Sequence, residues 1–430
     1  MRLSCDQWYD RNVFLCQTDF WQSYNVKKQY TYQEDITMSN DYVFKDTIPI
    51  APLKIAALES CRELAQKVND YIVTFRQNDV KELQKRQESL HFRGYDASSY
   101  LLNLDCPRFG TGEAKGTILE SVRGTDIYAM VDVTNHSIPY KIFGQTNHMS
   151  PDDHYQDLKR VLASSLSTAH RVNVIMPFLY EGRQHKRSKR ESLDCAMALQ
   201  ELTDMGVNNI FTFDAHDPRV QNAIPLHGFD NFMPAYQFIK TLFAHDTSLK
   251  LDKDHLMIIS PDEGAMDRAV YLANNLGVDM GMFYKRRDYS TIIDGRNPIV
   301  AHEFLGSSVK GKTVIIIDDM ISSGESMLDT ARELKERQAD KVIICCTFGL
   351  FTNGLEKFDE FYDRGFIDYV ITTNLNYRSP ELLQRNWYLE ADMSKYLAVI
   401  INTLNHDVSI SSVLSPTARI QKLVQKYHNR

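Results

Sequence analysis

From Leu53 onward the apolar and polar positions fall into two alternating textures. Short apolar runs (LKIAAL, DIYAMVDV, RVNVIMPF, NNIFTFD) are separated by longer stretches of helical period (CRELAQKVNDYIVTF, HYQDLKRVLASSLST, LDCAMALQELTDMG). A run with little polar alternation marks a strand covered on both faces, and such strands alternating with helices predict a parallel α/β sheet. After a less regular stretch near residues 225–245 the grammar restarts with HLMIISPD, AMDRAVYLANNLG, DMGMFYK, KTVIIIDD, ESMLDTARELKERQ, KVIICCTFG and YVITTN. Two α/β units of similar size are therefore predicted. Residues 1–48 are rich in aromatics without a period of 2 or 3.6, and no fold is assigned to them.

Open α/β sheets bind ligands at the carboxyl ends of their strands, so the chemistry is sought where each strand stops. VNVIMPFLYEGRQ leads to Arg183 and Gln184, and NNIFTFDAH delivers Asp214 and His216. LMIISPDEG delivers Asp262 beside Gly264, and VIIIDDMISSGES brings Asp318 and Asp319 before Ser322, Ser323, Gly324, Glu325 and Ser326. That last loop opens a helix, where free backbone N–H groups, a glycine and hydroxyls make an anion site suited to a phosphate. The two carboxylates would repel phosphate, so they are expected to face sugar hydroxyls or a hydrated Mg²⁺.

Each feature also has a plainer reading. Ser322 or Ser323 would serve as a helix cap, and His216 as a structural histidine in a strand followed by an Asx-Pro turn. The basic run Arg183, His185, Lys186, Arg187, Lys189, Arg190 and the stretch YKRRD are, in isolation, solvated charge.

Composition narrows the class without choosing the chemistry. At 430 residues the chain exceeds one ordinary core, and 43% hydrophobic with 24% charged residues is normal for a globular protein. A net charge of -7 argues against a general nucleic-acid or membrane-surface binder. Seven cysteines without CxxC or metal-ligand spacing suggest a reducing compartment. The opening MRLSCDQWYD lacks a signal-peptide pattern, and no window has the roughly 18 unbroken apolar residues of a membrane span. A cytoplasmic protein without nucleic-acid or membrane partners is the expectation.

Taken in order, the motifs resemble ribose-phosphate diphosphokinase (phosphoribosyl-pyrophosphate synthetase). DDMISSGES is similar to the phosphoribosyl-diphosphate loop of phosphoribosyltransferase-type proteins. RFGTGEAKGTILESVRGTDIY resembles the family's early Phe-x-x-x-Glu segment, YEGRQHKRSKRESLD its Arg-Gln loop and FDAHDPRVQ its Asp-x-His segment. SPDEGAMDRA resembles its Ser-Pro-Asp-x-Gly segment and YKRRD its Lys-x-Arg catalytic loop. Several ordered motifs over residues 50–410 are specific where one would be weak.

The resemblance implies two phosphoribosyltransferase-like domains, each a mainly parallel sheet flanked by helices. Residues 49–232 would form the ATP side, with an insertion near 78–105, and residues 233–410 the ribose 5-phosphate side, before a tail at 411–430. It implies transfer of the diphosphoryl group of ATP to the C1 hydroxyl of ribose 5-phosphate with Mg²⁺, releasing AMP. Carried over by position, Lys285, Arg287 and His216 would be catalytic, and His216 and Asp262 would hold the metal. Arg183, Gln184 and His216 would meet ATP, joined by Phe109, Thr111, Gly112 and Glu113 of a neighbouring subunit in a hexamer or dimer-based homo-oligomer. Arg287, Asp318, Asp319 and Ser322 through Ser326 would bind ribose 5-phosphate. The YKRRD lysine and arginine, ahead of Gly295, Pro298 and Gly306, suit a loop that closes over substrate.

One departure concerns the phosphate loop, which commonly reads Thr-Gly-Gly-Thr in its core where this chain has Ser323-Gly324-Glu325-Ser326. Glu325 either turns its side chain away, leaving the backbone to serve the phosphate, or lowers affinity. Two alternatives stand beside the enzyme: a non-catalytic regulatory or scaffolding relative of the same fold, and a nucleobase phosphoribosyltransferase. The latter accounts for the phosphate loop but leaves a complete second α/β unit unexplained.

Overall fold

In this computed structural model residues 47–86, 91–287, 299–411 and 416–428 are described. Most of the N-terminal extension, and the stretch with Gly295 and Pro298, lie outside them. Residues Pro49–Thr74 and His91–Arg430 form one compact unit holding both major sheets, and Phe75–Leu90 belongs to a separate unit.

In chain order the first half comprises β1 (Leu53–Ala57), α1 (Arg62–Lys85), β2 (Leu104–Asp105), β3 (Thr117–Ile118), β4 (Asp126–Met130), β5 (Pro139–Ile142) and β6 (Gln145–His148). It continues through α2 (Pro151–Ser165), β7 (Arg171–Ile175), α3 (Asp194–Asp204), β8 (Asn209–Phe213) and β9 (Gly228–Phe232). β1, β4, β7, β8 and β9 make a five-stranded parallel sheet in that spatial order, with β2–β3 and β5–β6 as small antiparallel ribbons. Helix α2 starts where the sequence signals it: Ser150 and Asp153 form a capping box ahead of Pro151. Helix α1 runs on to Lys85, past the expected end near Phe75, so the start of the expected insertion is helical.

The second half begins with α4 (Ala235–His245), β10 (Leu256–Ser260), α5 (Met266–Leu276), β11 (Asp279–Arg287), β12 (Ile299–Leu305), β13 (Thr313–Ile321) and α6 (Glu325–Glu336). Then come β14 (Lys341–Gly349), α7 (Glu356–Asp363), β15 (Tyr369–Thr373), α8 (Pro380–Leu383), β16 (Tyr388–Ala391), α9 (Ser394–Asn405) and α10 (Thr417–His428). Its seven-stranded sheet has the order β12-β11-β10-β13-β14-β15-β16, parallel except for the antiparallel pair β11–β12. Both of its faces are covered. Ile258, Ile315 and Ile343 pack with residues of α4 and α5, while Ile259, Ile316 and Ile344 pack with residues of α6 and with Phe358 of α7.

The first sheet lacks that symmetry. Its spatial order repeats its chain order, and α2 and α3, on the crossovers between β4, β7 and β8, lie on one face. Ile127, Ala129, Val172 and Val174 pack there with Leu158, Leu162 and Leu199. Residues on the opposite face meet α9, whose chain comes from the far end of the second half. Tyr396 contacts the rings of Phe213 and Phe232 at 6.3 and 6.0 Å between centroids.

Charge fixes the other end of this contact. Arg171 forks onto the fully buried Asp126 with two bonds of 2.8 Å and donates a third of 2.8 Å to the Leu404 carbonyl. Asn405 donates to Asp126 at 2.9 Å and to the Ala51 carbonyl at 3.0 Å, so the start of the first sheet and the end of α9 share one carboxylate. Removing one member of such a buried pair strands the other charge. Arg171→Met is therefore expected to lower unfolding stability by about 3 kcal/mol or more. Arg332→Met, which breaks the exposed pair with Asp329, is expected to cost under about 1 kcal/mol, both read from denaturant midpoints.

Candidate active site

The carboxyl ends of β8 and β13 meet. Past Phe213, Asp214 adopts a left-handed φ of 41° and turns the chain so that Ala215 and His216 follow. The buried Asp214 carboxylate accepts from Arg268 Nε of α5 at 2.6 Å and from Thr347 Oγ1 of β14 at 2.5 Å. Arg268 also donates to the carbonyls of Ala215 and Gly264, at 3.2 and 3.3 Å. In the opposite direction, His216 Nδ1 lies 2.7 Å from Asp319 Oδ2, and Arg268 Nη2 is 3.9 Å from the same oxygen. A carboxylate from each half is thus satisfied by side chains of the other. Burial pushes the Asp214 carboxyl up, opposed by Arg268 and Thr347.

This arrangement changes the picture of the adjacent carboxylates. β13 does not end at them; it pairs with β14 through Ile321. Successive residues of a strand point to opposite faces, so Asp318 and Asp319 cannot share one role. Asp319 faces α5 and is buried; burial would raise its pKa, but the His216 bond and the Arg268 charge hold it below the usual value. Asp318 is half-buried on the other face, where burial, the Asp319 charge and then Asp262 push its carboxyl up. Asp319 is engaged by His216, and Asp318 stands apart from that bond.

The loop after β13 opens α6 without a side-chain cap. Gly324 is the N-cap at φ 82°, and neither Ser322 nor Ser323 fills the capping role that the plainer reading gave them. A Cβ at Gly324 would lie 2.5 Å from the Phe358 ring, so packing as well as φ requires glycine. The helix thus starts without a side-chain cap, the arrangement in which an anion can meet first-turn amides. Glu325 turns outward: its carboxylate pairs with Lys357 at 3.2 Å, both side chains more than half exposed.

Other expected residues are placed with mixed outcomes. Arg183 lines a small cleft with Asp214, His216, Met320 and Phe348, which brings the Arg-Gln loop to the strand ends. Gln184 donates to the Ser192 carbonyl at 2.9 Å and braces its own loop. Phe109, Thr111, Gly112 and Glu113 form a tight turn, with Phe109 N bonded to Glu113 O at 2.7 Å and Thr111 Oγ1 to Glu113 Oε2 at 2.9 Å. That turn rests on the β5–β6 ribbon through the Phe143 N to Gly110 O bond of 2.8 Å, and the Phe109 ring is exposed. Lys285 and Arg287 lie on strand β11, opposite His302 and Ile299, with a register shift between Arg286 and Arg287. The loop expected at YKRRD is thus strand as far as Arg287.

Among the described residues no group of three or more His, Cys, Asp or Glu is placed to hold a metal. Mg²⁺ does not require one, since it keeps waters and takes one or two protein groups alongside substrate phosphates. His216 and Asp262 fit that sparse donor set. The Nδ1 bond to Asp319 leaves Nε2 for a ligand on a side chain that is 40% exposed, while Asp262 Oδ1 accepts from Gly264 N at 2.9 Å.

Sequence reasoning missed Arg268 and Thr347. Arg268 was read as part of an amphipathic helix. Its signal was available: it sits four and eight residues before Leu272 and Leu276, both on the buried stripe of α5, where a charge needs a partner.

Comparison with known proteins agrees with this layout. The family model described as the N-terminal domain of ribose phosphate pyrophosphokinase matches residues 53–206, and the phosphoribosyl transferase domain model matches residues 235–381. A ribose-phosphate pyrophosphokinase of Pasteurella multocida is 27% identical over 348 residues, covering 80% of this chain and 99% of the relative. One from Mycoplasma genitalium is 29% identical over 273 residues, covering 63% and 74%. The crystal structure of phosphoribosylpyrophosphate synthetase from Mycobacterium smegmatis superposes with a TM-score of 0.63 at 20% identity, over 83% of this chain and 99% of that one, and shares the fold. With both domain models matched in order and relatives of one name aligned across both halves, the chain belongs to the ribose-phosphate pyrophosphokinase family.

Proposed function

We infer that this chain transfers the diphosphoryl group of ATP to the C1 hydroxyl of ribose 5-phosphate, forming 5-phosphoribosyl 1-diphosphate and AMP. The observation that carries the reading is the pairing of two family-matched halves whose strand ends are bridged by His216 and Asp319 beside an uncapped helix N-terminus. Residues 49–232 are proposed as the ATP half and residues 233–410 as the ribose 5-phosphate half. A cytoplasmic location suits the free thiols of Cys61, Cys106, Cys195, Cys345 and Cys346. Among the described residues no helix is long and apolar enough to cross a membrane.

Transfer of this kind depends on positioning and on neutralising spread negative charge rather than on a covalent nucleophile. The α6 amides with Ser322, Ser323 and Ser326 are proposed to cradle the 5-phosphate, and Asp318 to face the ribose hydroxyls. Lys285 is assigned to charge that develops on the transferring group and Arg287 to the sugar phosphate. Mg²⁺, held by His216 and Asp262, would neutralise charge on the polyphosphate. Arg183 and Gln184 are assigned to the nucleotide. Phe109, Thr111, Gly112 and Glu113 are proposed to reach it from a neighbouring copy, a role supported by the exposed Phe109 ring and requiring a homo-oligomer.

Purified protein with ATP, Mg²⁺ and ribose 5-phosphate is expected to release AMP only when all three are present, and Lys285→Ala to lower kcat by roughly two orders of magnitude with little change in substrate binding. Formation of ADP, or full turnover in that variant, would overturn the assignment. His216→Ala is expected to reduce activity at least about tenfold, while shifting the unfolding midpoint far less than Arg171→Met. A large stability loss would return it to the structural role. Because Glu325 faces Lys357, Glu325→Gln is expected to change ribose 5-phosphate affinity by less than about threefold in calorimetric titration. Tenfold tighter binding would place the carboxylate against the phosphate.

A further inference from the structure

We propose that Arg268 is a positioning residue that acts through His216, setting both where the imidazole projects and which of its nitrogens faces the cleft. The inference rests on the reading of His216 given above.

His216 is held from two directions, and Arg268 touches both. The first is the backbone. His216 follows Asp214 by two residues, and the φ of 41° at Asp214 is an uncommon conformation for a non-glycine residue, one that contacts to its side chain help to hold. Arg268 supplies that constraint twice, through its 2.6 Å bond to the Asp214 carboxylate and its 3.2 Å bond to the Ala215 carbonyl. Thr347 completes the grip on the second Asp214 oxygen.

The second direction is the ring. Asp319 Oδ2 faces His216 Nδ1 at 2.7 Å, which for a carboxylate acceptor requires Nδ1 to carry hydrogen. Nε2 is therefore the nitrogen left to face the cleft, where a metal or a phosphate-bound water would meet it. Arg268 Nη2, 3.9 Å from that same Oδ2, balances the Asp319 charge at a site where both side chains are largely buried, 10% and 5% exposed. Without the guanidinium, two carboxylates from different halves would lie in one buried place, Asp214 held by Thr347 and Asp319 by the imidazole, with no cation balancing the pair. Either the ring would turn or the turn at Asp214 would relax.

A lysine does not reproduce this. One ammonium can replace the charge, but it lacks the planar fork whose Nε meets Asp214 while Nη2 meets the Ala215 carbonyl and lies by Asp319. An arginine placed only for domain packing would need none of that convergence on the two residues before one histidine and on the carboxylate that holds its ring.

The test is a double-mutant cycle between Arg268→Met and His216→Ala, with kcat and KM measured separately for MgATP and ribose 5-phosphate and unfolding followed in parallel. Arg268→Met is expected to lower kcat at least about tenfold in the wild-type background but less than about twofold when His216 is already alanine, with KM for ribose 5-phosphate within about twofold throughout. Equal losses in both backgrounds would overturn the inference, because Arg268 would then act independently of His216. Wild-type activity in His216→Ala alone would overturn the reading of His216 itself, and this inference with it. Should Arg268→Met fail to fold, Arg268→Lys runs the same cycle with the buried charge retained, and the same coupling is expected with a smaller loss. Additive behaviour there would be equally decisive against it.

Discussion

Two buried carboxylates, Asp214 and Asp319, constrain the centre of this protein. Asp214 directly follows β8 and Asp319 lies two residues before the end of β13, in different sheets, and each finds partners across the boundary: Asp214 with Arg268 and Thr347, Asp319 with His216. An isolated buried carboxylate costs several kcal/mol, so neither sheet can keep its own strand end in this form without the other. The cost of separation is thus concentrated where ligands of α/β sheets bind. A fold that brings the two halves together to satisfy these acids also brings together the groups assigned to nucleotide and sugar phosphate.

The same interdependence recurs at the opposite ends of the strands. Helices α2 and α3 cover one face of the first sheet, whereas α9 meets the other face only after the chain has completed the second sheet, and Asp126, Arg171 and Asn405 lock it there. The first half therefore lacks part of its core until almost the whole chain is made. This explains why residues on both sides of the proposed boundary at 232 fall within one compact unit although the pattern of apolar runs divides cleanly in two.

Most strands and helices of both sheets were legible in the sequence because parallel strands buried on both faces write unbroken apolar runs, as in VIII before Asp318. The phosphate loop was legible because hydroxyls and glycine before a helix carry a local chemical signal. Pairing across halves was not, since nothing near Asp214 in sequence announces Thr347 or Arg268, at separations of 133 and 54 residues. Reading Asp318 and Asp319 as a strand terminus failed for a related reason. Local pattern treats two adjacent charges as a stop, whereas the partners waiting on the two faces of the sheet let β13 continue through both. YKRRD was read as a loop on the same grounds, and it is antiparallel pairing with β12 that keeps Lys285 through Arg287 extended.

The loop before α6 shows how far the backbone alone can specify a site. An N-cap side chain would stabilise such a helix by about 1 kcal/mol, yet the sequence places serines just before the start and a glycine at the cap itself. Gly324 is held there by its left-handed φ and by the Phe358 ring, which leaves no room for a Cβ. The helix gives up a side-chain acceptor that would occupy its first-turn amides. Glu325, facing Lys357 instead of the loop interior, does not compete for them either. What remains is a helix start whose cap position offers no side-chain acceptor, beside an Asp318 whose carboxyl is pushed up by burial and by the Asp319 charge. A doubly charged phosphate would meet no competing cap there.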